Sequence, residues 1–159
     1  MMDQVISPAS RDEILSNTAF VITDIARRYR VVFDERVRHL KLSRSEWFLL
    51  GHLRYFNGST QQELCEVMDL TKGGIGKLVD RLERAKLVFR SLDEQDRRTR
   101  RVHLTGKAKA LVAELRVHSQ AVEAEALSVL SAAEVKSFNR LLLKVRRGFL
   151  ERLDQQSAD

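Results

Sequence analysis

Apolar residues along this chain recur three and four positions apart over long stretches and alternate only briefly, so the pattern predicts a mainly helical protein with one small β element. Ile14, Val21, Ile25, Tyr29, Val32 and Phe33 form a first stripe, with Arg27, Arg28 and Arg30 mostly off it. A Ser-x-x-Glu box at Ser10-Arg11-Asp12-Glu13 heads this region: the hydroxyl caps a free amide and the carboxylate reaches back to the cap residue. The same box recurs at Ser43-Arg44-Ser45-Glu46, Thr60-Gln61-Gln62-Glu63 and Ser131-Ala132-Ala133-Glu134, while Thr71 and Thr105 are caps by position. Six helices follow from these starts. The second, carrying Trp47, Leu50 and Leu53, ends at the turn cluster Asn57-Gly58-Ser59. Neither glycine nor proline interrupts 107–147, where Leu111, Leu115 and Val122, then Val135, Phe138, Leu142, Val145 and Phe149, make two further stripes.

The period changes once. Leu87-Val88-Phe89-Arg90-Ser91-Leu92 and Arg101-Val102-His103-Leu104, separated by a polar segment with Asp93, Glu94 and Asp96, predict a β-hairpin. Just before it, a helix over 60–68, the short turn Asp69-Leu70-Thr71 and a helix over 72–86 predict a helix-turn-helix with Leu64, Leu70, Ile75, Leu78, Val79 and Leu82 facing inward. The expected fold is therefore a winged helix-turn-helix with a small β-hairpin wing. Its DNA-binding lobe at 41–105 is flanked by an N-terminal dimerisation helix within 1–40 and C-terminal dimerisation helices within 106–159, in one compact domain. Val21, Ile25, Leu142 and Val145 suit a two-fold interface, so a homodimer is expected, its recognition helices set about 34 to 36 Å apart for paired half-sites.

Composition narrows the partners. A net charge of +6 and a sequence pI near 9.8 suit a polyanion. No run of about 18 apolar residues exists, and the start lacks a signal-peptide pattern, so no membrane span and a cytoplasmic location are expected. Cys65 is the only cysteine; it reads as a small buried hydrophobe, with a redox-responsive regulator as the less favoured alternative. His39, His52, His103 and His118 are scattered without an i, i+4 histidine pair, so a metal site would need tertiary convergence, and no metal or cofactor is expected. No catalytic fingerprint occurs, and Gly73-Gly74-Ile75-Gly76 lies within a helical pattern rather than after a strand, where a phosphate loop would sit. An enzyme is not expected.

Double-stranded DNA fits the exposed residues best. Burying the apolar face of 72–86 leaves Lys72, Gly73, Gly74, Gly76, Lys77, Asp80 and Arg81 outside, with Thr71 at the head of the helix. Lys72 and Lys77 can neutralise phosphate or reach guanine edges. Each glycine there costs about 1 kcal/mol relative to alanine, so either the backbone approaches DNA closely or the first turn is frayed. Between 97 and 109 basic residues stand at 97, 98, 100, 101, 107 and 109 with no acid. Alternation puts Arg97 and Arg101 on a different face from Arg98 and Arg100, and an arginine at the turn tip can enter a minor groove, with Asp96 orienting a neighbouring guanidinium. A solvated ion-pair hairpin, or a non-specific architectural DNA binder, would use the same residues.

Thr71 through Glu83, including Leu78-Val79-Asp80-Arg81-Leu82-Glu83, then Leu87-Val88, Arg90, Asp96-Arg97-Arg98 and Leu104-Thr105, resembles the MarR family of winged-helix transcription regulators, and the motif match spans 42–109. The resemblance implies a homodimeric repressor that binds a palindromic operator and is released by a small effector, often an aromatic acid, with an acyl thioester as another candidate class. It places the recognition helix on 72–86 and a wing arginine paired to an aspartate on Arg98 with Asp96. It also implies an effector pocket where the dimerisation helices meet the DNA-binding lobe, with Tyr29, Phe33, Arg36, Trp47 and His118 as candidates, although aromatic residues at helical spacing equally suit a core. Departures from the family pattern are Lys86 in place of a helix-ending glycine, Ala108 in place of glycine, and the three glycines of the recognition helix.

Overall fold

Capping residues decide where the helices of this protein begin, as seen in a computed structural model that describes residues 17–156. Helix α1 (Thr18–Arg36) is capped by Asn17, whose side chain accepts the Phe20 amide at 3.2 Å. The box predicted at Ser10 and the apolar position Ile14 lie outside the described residues. A 3-10 turn (Arg38–Leu40) leads to helix α2 (Arg44–Tyr55), which carries the full Ser43/Glu46 capping box. Strand β1 (Ser59–Thr60) runs into helix α3 (Gln61–Met68), closed by the Thr60/Glu63 box. Helix α4 (Lys72–Arg84), strands β2 (Val88–Leu92) and β3 (Arg100–Leu104), and helices α5 (Gly106–Leu127) and α6 (Ala132–Gln156) complete the order. At the head of α6, Ser131 and Glu134 exchange both capping bonds.

The sheet has three strands rather than the expected two, in the antiparallel order β1-β3-β2. Val88 faces Leu104 and Leu92 faces Arg100 across the hairpin, while Ser59 faces Val102 on the other edge of β3. Two residues are too few to show alternation, which is why β1 reads as a turn in the sequence. Gly58 makes it possible: at φ +90° its amide donates to the Val102 carbonyl at 3.0 Å, and a Cβ there would stand 2.9 Å from His103 Cε1.

Leu49, Leu50, Leu53, Leu64, Ile75, Val79, Leu82 and Val102 are fully buried together, so the inward faces of α2, α3 and α4 meet over the sheet. Leu70 departs from the predicted inner face and is 37% exposed. It follows Asp69, which takes the left-handed conformation at φ 51°, and its amide is used to close α3 on the Cys65 carbonyl at 3.1 Å. The end of α4 repeats this device. Lys86 sits at φ 59° while the Leu87 amide reaches the Leu82 carbonyl at 2.9 Å, a left-handed position filled without glycine.

The chain divides into two compact units between Val122 and Glu123, inside α5. The first holds α1 to β3 and most of α5. The second holds the end of α5 with α6, and no α6 residue is buried: Leu141, Leu143, Phe149 and Leu153 are all more than half exposed. On α1, Ile25 and Val31 are likewise exposed. Among the described residues no helix is long and apolar enough to cross a membrane.

Candidate nucleic-acid interface

Helix α4 presents the first half of the surface. Its opening turn is formed and capped: the Thr71 carbonyl accepts the Ile75 amide at 3.0 Å and the Thr71 hydroxyl accepts the Gly74 amide at 3.2 Å. Thr71, Lys72, Gly73 and Lys77 are exposed and Gly74 is half-buried. A Cβ on Gly73 or Gly76 would meet nothing within 4 Å, and one on Gly74 would make only ordinary contact with Thr71 Oγ1 at 3.4 Å. The interior of the fold therefore does not require glycine at these positions.

The wing supplies the other half, and Asp93 builds it. Only 8% exposed at the end of β2, its carboxylate accepts the amides of Gln95 at 2.8 Å and Asp96 at 2.9 Å and pairs with the Arg101 guanidinium. Those amides, the Asp96 one foremost, together with Arg101 hold the Asp93 carboxyl below its ordinary value of 3.8. Arg101 also donates to the Gly58 carbonyl at 2.9 Å, tying wing to β1. Asp96 does not orient a guanidinium as expected from sequence. Its two oxygens accept the Arg98 backbone amide and the Thr99 hydroxyl, each at 2.9 Å, because an aspartate in a turn closes on nearby backbone before it reaches a long side chain. Among the described residues, Arg97, Arg98 and Arg100 are exposed and make no side-chain ion pair.

These halves converge. Lys72 from α4 and Arg98 and Arg100 from the wing line one open cleft of about 400 Å³ with Thr60, Gln61 and Gln62 at the start of α3. Lys77 and Arg97 are exposed outside its lining. Arg81 also reaches back to the fold: its Nε lies 2.6 Å from Glu46 Oε1 at the head of α2, so this expected DNA-contact residue, its side chain 54% exposed, braces α4 against α2. Arg90, which sequence reasoning left without a role, is 15% exposed in its side chain, pairs with Asp80 at 2.7 Å and with Glu83, and so locks β2 to α4. The i, i+3 spacing of the two acids was visible, but the pairing needed the fold to bring β2 back along α4.

A second concavity, of about 290 Å³, lies between α1, α2 and α5 and is lined by Tyr29, Phe33 and Trp47 among others. Phe33 stacks on Tyr29 with centroids 5.8 Å apart and meets the Trp47 ring edge-on at 4.6 Å. Phe33 and Trp47 are buried, the indole N–H donating to Asp34 at 2.8 Å, so both also serve the core. Of the five effector candidates these three come together, whereas Arg36 and His118 do not line the cavity. Arg36 stands in the last turn of α1, and His118 faces Glu114 and His39 instead. The cations that do line it are Arg54 and Arg116. His52 is also there, and burial depresses its pKa below the ordinary 6.5, with the Glu63 charge partly opposing.

Comparison with known proteins agrees with this architecture. A sequence profile described as MarR family matches residues 40–99. Wild-type MarR from E. coli in its apo form is 24% identical, with a TM-score of 0.71 over 80% of this chain and 95% of that one. A MarR family transcriptional regulator from Silicibacter pomeroyi is 23% identical with a TM-score of 0.73, covering 83% of this chain and 89% of the other. The transcriptional regulator SlyA is 21% identical, again with a TM-score of 0.73, over 85% and 95% of the two chains.

Proposed function

We propose that the chain is a winged helix-turn-helix transcription regulator of the MarR family, whose profile matches residues 40–99, and that it acts as a homodimeric, sequence-specific repressor on a palindromic operator. One observation carries this reading: Lys72 on α4 and Arg98 on the wing come from separate elements yet line the same open cleft. Helix α4 enters the major groove, where Lys72 and Lys77 meet phosphate or guanine, and the bare backbone at Gly73 allows close approach with the Thr71 cap beside it. The wing follows the adjacent minor groove with Arg97, Arg98 and Arg100. Asp96 shapes that turn rather than touching DNA.

The dimer draws on the exposed apolar positions of α1 and of α6, each able to pack on a second copy. The effector occupies the aromatic cavity, with Arg54 or Arg116 taking the carboxylate of an aromatic acid, or the charged part of an acyl thioester. It releases the operator by favouring a dimer shape that no longer spans both half-sites. This takes place in the cytoplasm, where the DNA is. Redox control through Cys65 is not retained: the thiol is packed against the core and the chain has no second cysteine.

The test is a binding comparison between a selected palindrome and random duplex at about 150 mM salt. A preference above roughly 10³ supports the regulator, and a ratio near one replaces it with an architectural DNA binder.

A further inference from the structure

We propose that His39, Glu114 and His118 form a binding site for a divalent transition-metal ion of the zinc type. His39 is 75 residues from Glu114 in sequence, and the fold brings it from a separate element to the Glu114/His118 pair. His39 sits in the 3-10 turn Arg38–Leu40, which is closed by the Leu40 amide on the Val37 carbonyl at 2.9 Å. Glu114 and His118 lie on successive turns of α5, four residues apart and therefore on one face.

Glu114 Oε1 lies 3.0 Å from His39 Nε2 and 3.9 Å from His118 Nε2, and the three candidate ligand atoms all lie within 4.8 Å of one another. A tetrahedral ion with bonds of about 2.0 to 2.1 Å holds its ligand atoms roughly 3.3 Å apart, so small side-chain rotations would bring these three ligands into place and leave the fourth position to water. The two imidazoles stand edge to face with centroids 5.3 Å apart. A simple ion pair would use one imidazole against the carboxylate. Here both Nε2 atoms turn toward the same oxygen, leaving a triangle of two imidazole nitrogens and one carboxylate oxygen. That donor set suits zinc, cobalt or nickel; calcium and magnesium prefer all-oxygen shells.

Access is open, since the side chains of His39 and Glu114 are 55% and 46% exposed and that of His118 is 24% exposed. The site shares no lining residue with the wing cleft or the aromatic cavity. It therefore stands whether or not the repressor reading does.

The experiment uses the untagged full chain, freed of metal by chelation and titrated with zinc chloride by calorimetry. One ion per chain is expected, with a Kd at or below about 10 μM. Cobalt chloride should give the intense visible bands of a tetrahedral shell. Glu114→Gln and His118→Gln should each weaken zinc binding by at least about tenfold and abolish those bands, with unchanged helicity by circular dichroism. His103→Gln, on the wing, should bind as the parent does. The proposal is overturned if the parent chain takes up no stoichiometric zinc, or if the two α5 variants bind it as tightly as the parent.

Discussion

Arg81 Nε lies 2.6 Å from Glu46 Oε1, which fastens the outer face of α4 to the first turn of α2. Glu46 is only 9% exposed and also accepts the Ser43 amide at 2.7 Å, so its two carboxylate oxygens are held by both partners. Arg81→Ala should lower stability by about 1 kcal/mol, because the arginine end is solvated while the acid end is not. In a chain of this size that is a melting-point drop of roughly 2 to 4 °C. The dependence of operator affinity on salt should not change, since a brace contributes no phosphate contact. A lowered salt slope in Arg81→Ala would return this residue to the DNA face.

Lys72 and Arg98 should behave in the opposite way. Both are exposed in one cleft, so truncating either removes no internal partner and should move stability by less than about 0.5 kcal/mol. Lys72→Ala should reduce the slope of log affinity against log salt by about 0.9, the value for one released counterion. Arg98→Ala should cost roughly 1 to 3 kcal/mol of operator affinity, most on sites with A·T-rich flanks. Fluorescence anisotropy across a salt series reads both, and wild-type slopes in both variants would remove the cleft from the interface.

Glycines separate into two kinds. Gly73→Ala and Gly76→Ala place a methyl in open space on α4 and should stabilise the fold by about 0.5 to 1 kcal/mol each. If α4 lies against DNA, the same methyls should weaken operator binding; stabilised variants with unchanged affinity would exclude close backbone approach there. Gly58→Ala should do the reverse, because φ +90° and His103 Cε1 at 2.9 Å leave no place for a Cβ. A loss of about 1 to 3 kcal/mol in urea unfolding is expected.

The cases of Asp96 and Arg90 mark how far the sequence was legible. Helix starts were readable because a capping box is local: four residues satisfy one another without help from the rest of the chain. The helix-turn-helix and the hairpin were readable for the same reason, as changes of period. What sequence did not reveal was partnership across elements. Asp96 looked like the natural mate of Arg98, but the turn claims its carboxylate, and the acid that holds a guanidinium is Asp93, eight residues before Arg101 and brought beside it only by the hairpin register. Arg90 with Asp80 and Glu83, and the edge strand β1, depend equally on three-dimensional return of the chain.

The same placement of charge fixes how stability should follow pH. Asp93 has a folded pKa below 3.8, held down by backbone amides and Arg101, so the folded state prefers its carboxylate. Its stabilising contribution is complete above about pH 4 and fades as pH falls below that toward the depressed value. Arg101→Gln removes one of the groups that favours the charge, so the acid limb of the unfolding curve should shift to higher pH. His52 acts in a different window. Burial lowers its folded pKa below 6.5, so the unfolded chain takes up a proton first as pH falls. Stability from this source is whole above pH 6.5 and declines below it until the folded pKa is passed. His52→Gln, which keeps a polar group near the Ser59 hydroxyl 3.3 Å away, should flatten the wild-type decline between neutral pH and the start of the Asp93 limb. Parallel urea-unfolding series on the two proteins at stepped pH would show it, and identical slopes in that window would mean the imidazole is as well solvated in the fold as outside it.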